Sequence, residues 1–391
     1  MKRVKLLVPF ALLPVLSFGQ NMETVMQSVE KNNLILKSYY QTKIADQRAE
    51  KASNNLMNPD VEASYQWGKP GSIGNKQTLT ATQSFEFPAS YYYRSKATDH
   101  RIKQRDAIYQ QERINVLLQA QNLCIEIIYL NQLVAEFQRR LEHADQLYKS
   151  VQKQFDVGAV SILDLNKSRL NLMNAQSDYD QAKAEKEGKQ LVLTQMNGGI
   201  SIELSQNNFP APSVPVDFNS WYETTTGINP DLIAAYQESE ATRRALSLSK
   251  SNGLPKLTVG YTMEHLADEL FQGAVFGVSL PLWENKNQVR QAKARKVAAN
   301  YQLQETIIAQ KTQYEELYKQ LVQLEQNCKL YNETLLTMSN DALLLKAYQK
   351  GELSLLEYLM ELSYYYDTKA KALELNRNVN MIYNEFMQLS L

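Results

Sequence analysis

The sequence predicts a mainly α protein with a small β part, in which a long coiled-coil helical hairpin and a pair of β-strands are each used twice. Three observations carry this. Residues 89–209 and 282–391 contain no proline and little glycine, the composition of long uninterrupted helices. Two short segments, QKQFDVGAVSILDL around Gly158 and AYQKGELSLLEY around Gly351, fall into register with one another. Ahead of each proline-free run lies a stretch in which apolar and polar residues alternate with the period of two that a strand requires.

The register pairs Phe155 with Tyr348, Gly158 with Gly351, Ser161 with Ser354, Ile162 with Leu355, Leu163 with Leu356 and Asp164 with Glu357. Pro88 precedes Gly158 by 70 residues and Pro281 precedes Gly351 by 70 residues. NPDVEASYQWG at 58–68 resembles LPKLTVGYTME at 254–264, so the chain is a tandem duplication with a period of 193–196 residues. The expected organisation is a leader over 1–20, a first repeat over 21–197, a linker over 198–227 and a second repeat over 228–391. The repeats carry β-hairpins at 59–88 and 255–281 and hairpin tips at 158 and 351.

Inside the long runs the apolar period is a heptad, the mark of supercoiling helices. Val116, Leu123, Leu130, Phe137, Ala144 and Val151 form one seam position, and Ala120, Ile127, Val134, Leu141, Tyr148 and Phe155 the other. The second half repeats this with Leu317, Leu324, Tyr331, Met338 and Leu345 against Leu321, Cys328, Leu335 and Ala342. A helix over 89–157 is roughly 100 Å long at 1.5 Å per residue. At its end Gly158 permits a helix–helix turn, as Gly351 does after 282–350. The returning helices, 160–196 and 353–389, are about half as long as the outgoing ones, and helices over 22–57 and 228–252 are expected to cover the rest.

In the first β-hairpin Val61, Ala63, Tyr65 and Trp67 alternate with Glu62, Ser64 and Gln66, and Leu79, Ala81, Phe85 and Phe87 with Thr78, Thr80, Thr82, Ser84 and Glu86. In the second, Leu257, Val259, Tyr261 and Met263 oppose Thr258, Gly260, Thr262 and Glu264, and Phe276, Val278 and Leu280 oppose Val275, Gly277 and Ser279. Loops are expected at Gly68–Asn75 and His265–Gly273. Such alternation fits either transmembrane strands or two amphipathic hairpins on a soluble core. Lipid admits only closed barrels, and four strands are half of the smallest, which has about eight. The membrane reading therefore needs several copies: three would supply a 12-strand β-barrel, and the same axis would gather the long helices into a helical barrel. Phe85, Phe87, Tyr91, Tyr92, Tyr93 and Trp283 fit an interfacial girdle or ordinary core packing.

Composition excludes other classes. The chain has 391 residues, 44% hydrophobic and 21% charged. Lys2, Arg3 and Lys5 precede an apolar run from Leu6 to Phe18 and the small-residue pattern Ser17-Phe18-Gly19, which reads as a secretory signal peptide. No apolar run is long enough for a transmembrane helix. Without the leader 39 Lys and Arg face 42 Asp and Glu, which offers nothing to nucleic acid. Cys124 and Cys328 are too few for a disulfide framework, and the cleavage region has no cysteine for a lipid anchor. His100, His143 and His265 lie far apart in sequence and support no metal site. No phosphate loop or nucleophile elbow is present, so neither an enzyme nor a cofactor is expected.

The whole layout resembles the TolC-type outer-membrane efflux proteins, most specifically in FDVGAVSILDL, YQKGELSLLEY and the strand-ending Pro88 and Pro281. The resemblance implies a homotrimeric channel, with four strands per protomer in an outer-membrane β-barrel continued by a periplasmic α-helical barrel. It further implies docking of Gly158, Ala159, Val160, Ser161, Gly351, Glu352, Leu353 and Ser354 against a periplasmic adaptor protein, served in turn by an inner-membrane pump. Asp164 and Glu357 take the positions at which the family narrows the tunnel with acidic residues. A ring of carboxylates there would act as a cation-attracting gate; alternatively each is a helix N-terminal carboxylate favoured by the macrodipole. The chain departs from the family pattern at Leu353, where an arginine joins the closing contacts, and at Met360, where a further aspartate stands. Gly198–Gly227 is expected in a mixed collar around the tunnel. Two rivals, a periplasmic coiled-coil adaptor and a structural coiled coil without a pore, explain neither the duplication nor the strand pair inserted in each half.

Overall fold

A computed structural model describes residues 21–71, 73–283, 285–337 and 340–391. The expected leader over 1–20 and the seam residue Met338 lie outside the described residues. The elements run α1 (Met22–Asn32), α2 (Leu34–Ala52), β1 (Asp60–Gln66), β2 (Lys76–Phe85), α3 (Pro88–Asp156), α4 (Ile162–Met196), α5 (Phe218–Thr226), α6 (Pro230–Ser251), β3 (Lys256–Leu266), β4 (Glu269–Ser279), α7 (Lys286–Thr337), α8 (Asn340–Gln349) and α9 (Leu355–Phe386), with a closing 3-10 turn at Gln388–Ser390. The fold is mainly α with one four-stranded sheet, as the periodicities require. Pro88 opens α3 at a position where its missing N–H costs nothing, and the helix then continues unbroken for 69 residues.

The chain forms two compact units. Of the described residues, the first comprises those up to Leu36, Asn115–Val216 and Leu317–Leu391; the second comprises Lys37–Ile114 and Asp217–Glu316. The core of the first unit follows the seam of α3: Val116, Ala120, Ile127, Leu130, Ala144 and Val151 are all buried. Burial is broader than a two-position seam, because Leu117, Cys124, Ile125 and Ile128 are buried too. The reason is that α3 has more than one partner. Met22, Val25 and Val29 of α1, Leu193 of α4, and Ile202 and Leu204 of the expected linker close around it.

In the second unit α2 lies along the start of α3. Lys43 and Gln47 reach Asp106, Glu50 reaches Arg101, and Tyr40 meets Tyr109 edge to face. Along α7, α6 is held by Ser239 to Asn300 at 2.7 Å and Asn229 to Gln310 at 3.0 Å.

Three expectations need correction. The helix expected over 22–57 breaks at Asn33, whose ψ of 124° leaves the helical region. Its buried side chain donates to the Met196 carbonyl and accepts from Leu36 N–H, tying the break to the end of α4. The loop expected at His265–Gly273 is a two-residue turn, Ala267–Asp268, so β3 and β4 extend to Leu266 and Glu269 and pair throughout. The linker holds a helix the periodicity did not announce, α5, capped by Asp217 through Ser220 N–H. It is too short for a seam and is anchored by aromatics: Phe218 stacks on Tyr222, and Trp221 and Tyr222 pack against the buried Tyr314. The run expected over 282–350 corresponds to α7 and α8.

Candidate functional site

The sheet lies wholly in the second unit, in the order β1-β2-β3-β4 with every neighbour antiparallel. Its register puts two unlike faces on the molecule. On one face Glu62, Thr80, Thr262 and Gly273 lie in a row, and on the next row Asp60, Thr82, Gly260 and Val275. Hydroxyls tie this face together, Thr80 to Thr262 and Ser84 to Thr258, each at 2.9 Å. The opposite face carries Val61, Leu79, Ala81, Leu257, Val259, Tyr261, Phe276 and Val278.

Exposure is inverted relative to a soluble sheet. The apolar side chains are the open ones, Phe276 at 82%, Val61 at 68% and Val278 at 63%, whereas along β2 and β3 the threonines opposite are half-buried. At Gly260 the strands approach closely. A Cβ on Gly260 would stand 2.5 Å from the Ala81 carbonyl oxygen and 2.7 Å from Thr82 Cγ2, so the strands close in on this face where a side chain has been left out. Glycine at such points is how a sheet bends. Trp67 and Trp283, at 82% and 85%, flank the strands fully open. Among the described residues no helix is long and apolar enough to cross a membrane.

The hairpin tips belong to the first unit. Both glycines have φ of +74°, a left-handed conformation that L side chains rarely adopt. Each is the turning residue of a Schellman motif. Gly158 N–H donates to the Phe155 carbonyl and Ala159 N–H to that of Gln154; Gly351 and Glu352 do the same to Tyr348 and Ala347. Three residues on, Ser161 and Ser354 cap the returning helices in capping boxes with Asp164 and Glu357. Asp164 Oδ2 accepts from Ser161 Oγ at 2.7 Å, and Glu357 Oε2 accepts from Ser354 N–H at 2.8 Å. That backbone bond holds the exposed Glu357 carboxyl below the usual carboxylate value. The same residues therefore close the turn and present a carboxylate at each tip.

The two tips share one core. Leu147 and Val151 of α3 are buried with Leu355, Tyr358 and Leu362 of α9, and Val160, Leu165 and Tyr348 pack against them. Beside exposed polar residues such as Glu352 and Glu357, several apolar side chains are left open on the two hairpins: Val157, Ile162, Leu163, Leu356, Met360 and Tyr364. The histidines are separately engaged, His100 with Gln237 and His143 with two tyrosines, while His265 sits on β3. Among the described residues no group of three or more His, Cys, Asp and Glu is placed to hold a metal.

No protein-family model matches the chain, and no curated protein matches it in sequence. Solved structures do match its fold. The outer membrane channel CmeC of Campylobacter jejuni superposes with a TM-score of 0.75 at 17% identity, over 95% of this chain and 85% of that one. VceC, an outer membrane protein of Vibrio cholerae, gives 0.72 at 12% identity over 94% and 96%. CusC, whose structures trace folding and transmembrane channel formation, gives 0.79 at 17% identity over 100% of this chain and 98% of its own. Across essentially its whole length, the chain has the fold of bacterial outer-membrane channels.

Proposed function

We propose that three copies of this chain form a channel through the outer membrane, a passive exit duct for substrates delivered by an inner-membrane pump through a periplasmic adaptor. The observation that carries this reading is the inside-out sheet. In water an exposed apolar face and a shielded hydroxyl face are both unfavourable; in a barrel the first meets lipid and the second lines the lumen. Edge strands β1 and β4 each have one neighbour in the sheet, and in lipid those edges must be paired. A partner copy on each side supplies the pairing, and three copies make a 12-strand barrel.

In the assembled channel Gly158–Ser161 and Gly351–Ser354 are the periplasmic tips that meet the adaptor, with the apolar residues around them buried by neighbouring copies and by that partner. Asp164 and Glu357 gate the pore. Their support is their equivalent place in the two hairpins, each at the first turn of its helix, so that a three-fold axis would make two rings of like charge. The reading gives the chain no catalytic role and locates it in the outer membrane, after removal of the leader. The fold shared with CmeC, VceC and CusC supports it.

The test is the state of the mature protein in its membrane. Extraction only by detergent, and a protein mass of three chains in the micelle, are expected. Release without detergent as a monomer would overturn the reading.

A further inference from the structure

The interface of α3 with α9 in the first unit carries a polar chain that the proposed channel does not use. His143 on α3 stands between two tyrosines of α9, with Nδ1 2.9 Å from Tyr366 Oη and Nε2 2.8 Å from Tyr358 Oη. Tyr358 is fully buried. One turn earlier Arg140 donates to the Tyr366 carbonyl at 2.7 Å and lies over its ring, and the buried Glu136 is held by Arg140 and Lys369. An open cavity lined by Arg140, His143, Asp178, Ser363, Tyr366 and Asp367 lies beside the imidazole.

The chemistry of the pair is asymmetric. A neutral imidazole accepts from one hydroxyl and donates to the other, which satisfies both tyrosines whichever nitrogen carries the proton. An imidazolium has two donors and no acceptor. One tyrosine hydroxyl then loses the atom it donates to, and a charge stands at a half-buried interface beside the buried Tyr358. The groups that face it are Arg140 and Glu136 on its own helix, Tyr358, Tyr366, Asp367 and Lys369 on α9, Asp178 on α4 and Asp341 on α8.

We propose that His143 is a proton-operated latch: neutral, it ties α9 to α3 just behind the hairpin tips, and its protonation releases α9. Burial pushes the imidazole below the ordinary histidine value, against a smaller opposing pull from Asp341. The closed interface therefore binds the proton less readily than the opened one. Closure is complete above the ordinary histidine value and is lost as the pH falls through the depressed one. The latch belongs to the hairpin interface and operates whether or not the chain forms a pore.

Amide hydrogen exchange of the purified full-length mature protein tests this, read on peptides spanning 136–147 and 355–369 and corrected for intrinsic rates. His143→Gln is the partner variant, because its amide still donates and accepts but does not titrate. From pH 7.5 to 5.0 the wild-type peptides should lose protection by clearly more than twofold, with a slope of at most about tenfold per pH unit for one coupled proton. In His143→Gln the change should stay within about twofold. The slope decides, so a variant that is looser at every pH is still informative. Equal slopes in the two proteins, or a flat wild type, would overturn the latch. Deuterium exchange at the histidine C2 carbon gives a second measurement: a midpoint for His143 at or above the ordinary 6.5 would overturn it as well.

Discussion

Gly158 and Gly351 share one φ, one pair of hydrogen bonds and one empty surrounding, since a Cβ at either meets nothing within 4 Å. Their replacement by valine therefore costs conformation rather than space, about 1–2 kcal/mol for a left-handed residue. Gly158→Val should lower adaptor cross-linking and efflux while leaving trimer yield near wild type; unchanged efflux would remove the tip from the docking site. Ser161→Ala or Ser354→Ala should each cost about 1 kcal/mol by removing a cap, measured by thermal unfolding. Glu357 adds a pH dependence with a definite sign. Its carboxyl is depressed by Ser354 N–H, so its contribution is present above the ordinary carboxylate value and is lost as the pH falls through the depressed one. Glu357→Gln should flatten that acid limb. Cys124 is fully buried and burial pushes its thiol up to about 12, so it should alkylate only when the chain unfolds.

At the scale of elements, the pairing of α7 with α9 is specified by a polar layer. Asn332 and Asn376 donate to each other at 3.4 and 3.2 Å, and Cys328 donates to Asn376 at 3.2 Å. Asn376→Leu alone strands a half-buried amide and should destabilise by about 1–3 kcal/mol. The double variant Asn332→Leu, Asn376→Leu should recover most of that loss, and cysteine cross-linking along the two helices should reveal mixed registers, since buried polar layers select register at a cost in stability. Both long hairpins, the four strands and the glycine turns were legible in the sequence because each has a strong period or a repeated landmark. The capping boxes were not announced there: Ser161 and Ser354 were read as repeat landmarks at the tips, and Asp164 and Glu357 as gate residues or helix N-terminal carboxylates, whereas the structure joins them in pairs. Most of what was missed depends on contacts between distant residues. The break at Asn33 is made by the end of α4, α5 is held by Tyr314, and the tight turn at Ala267–Asp268 has no glycine to announce it. Nor does strand alternation tell which face is open; the burial of the threonines along β2 and β3 shows that.

At the scale of the whole molecule, the central claim is that the hydroxyl face of this sheet lines a water-filled pore whose constriction lies at the hairpin tips. A valine at Gly260 would meet the Ala81 carbonyl and Thr82 and force β2 and β3 apart, so Gly260→Val should reduce the yield of membrane-embedded trimer while spectra of the helices stay unchanged. The most direct measurement is single-channel conductance of the detergent-purified mature protein in planar bilayers, beside Asp164→Asn and Glu357→Gln. Small cation-selective openings in the wild type, larger and less selective in the variants, are the predicted result. The absence of any conductance from a protein that is properly folded and inserted would contradict the pore, and openings that both variants leave unchanged would contradict the acidic gate.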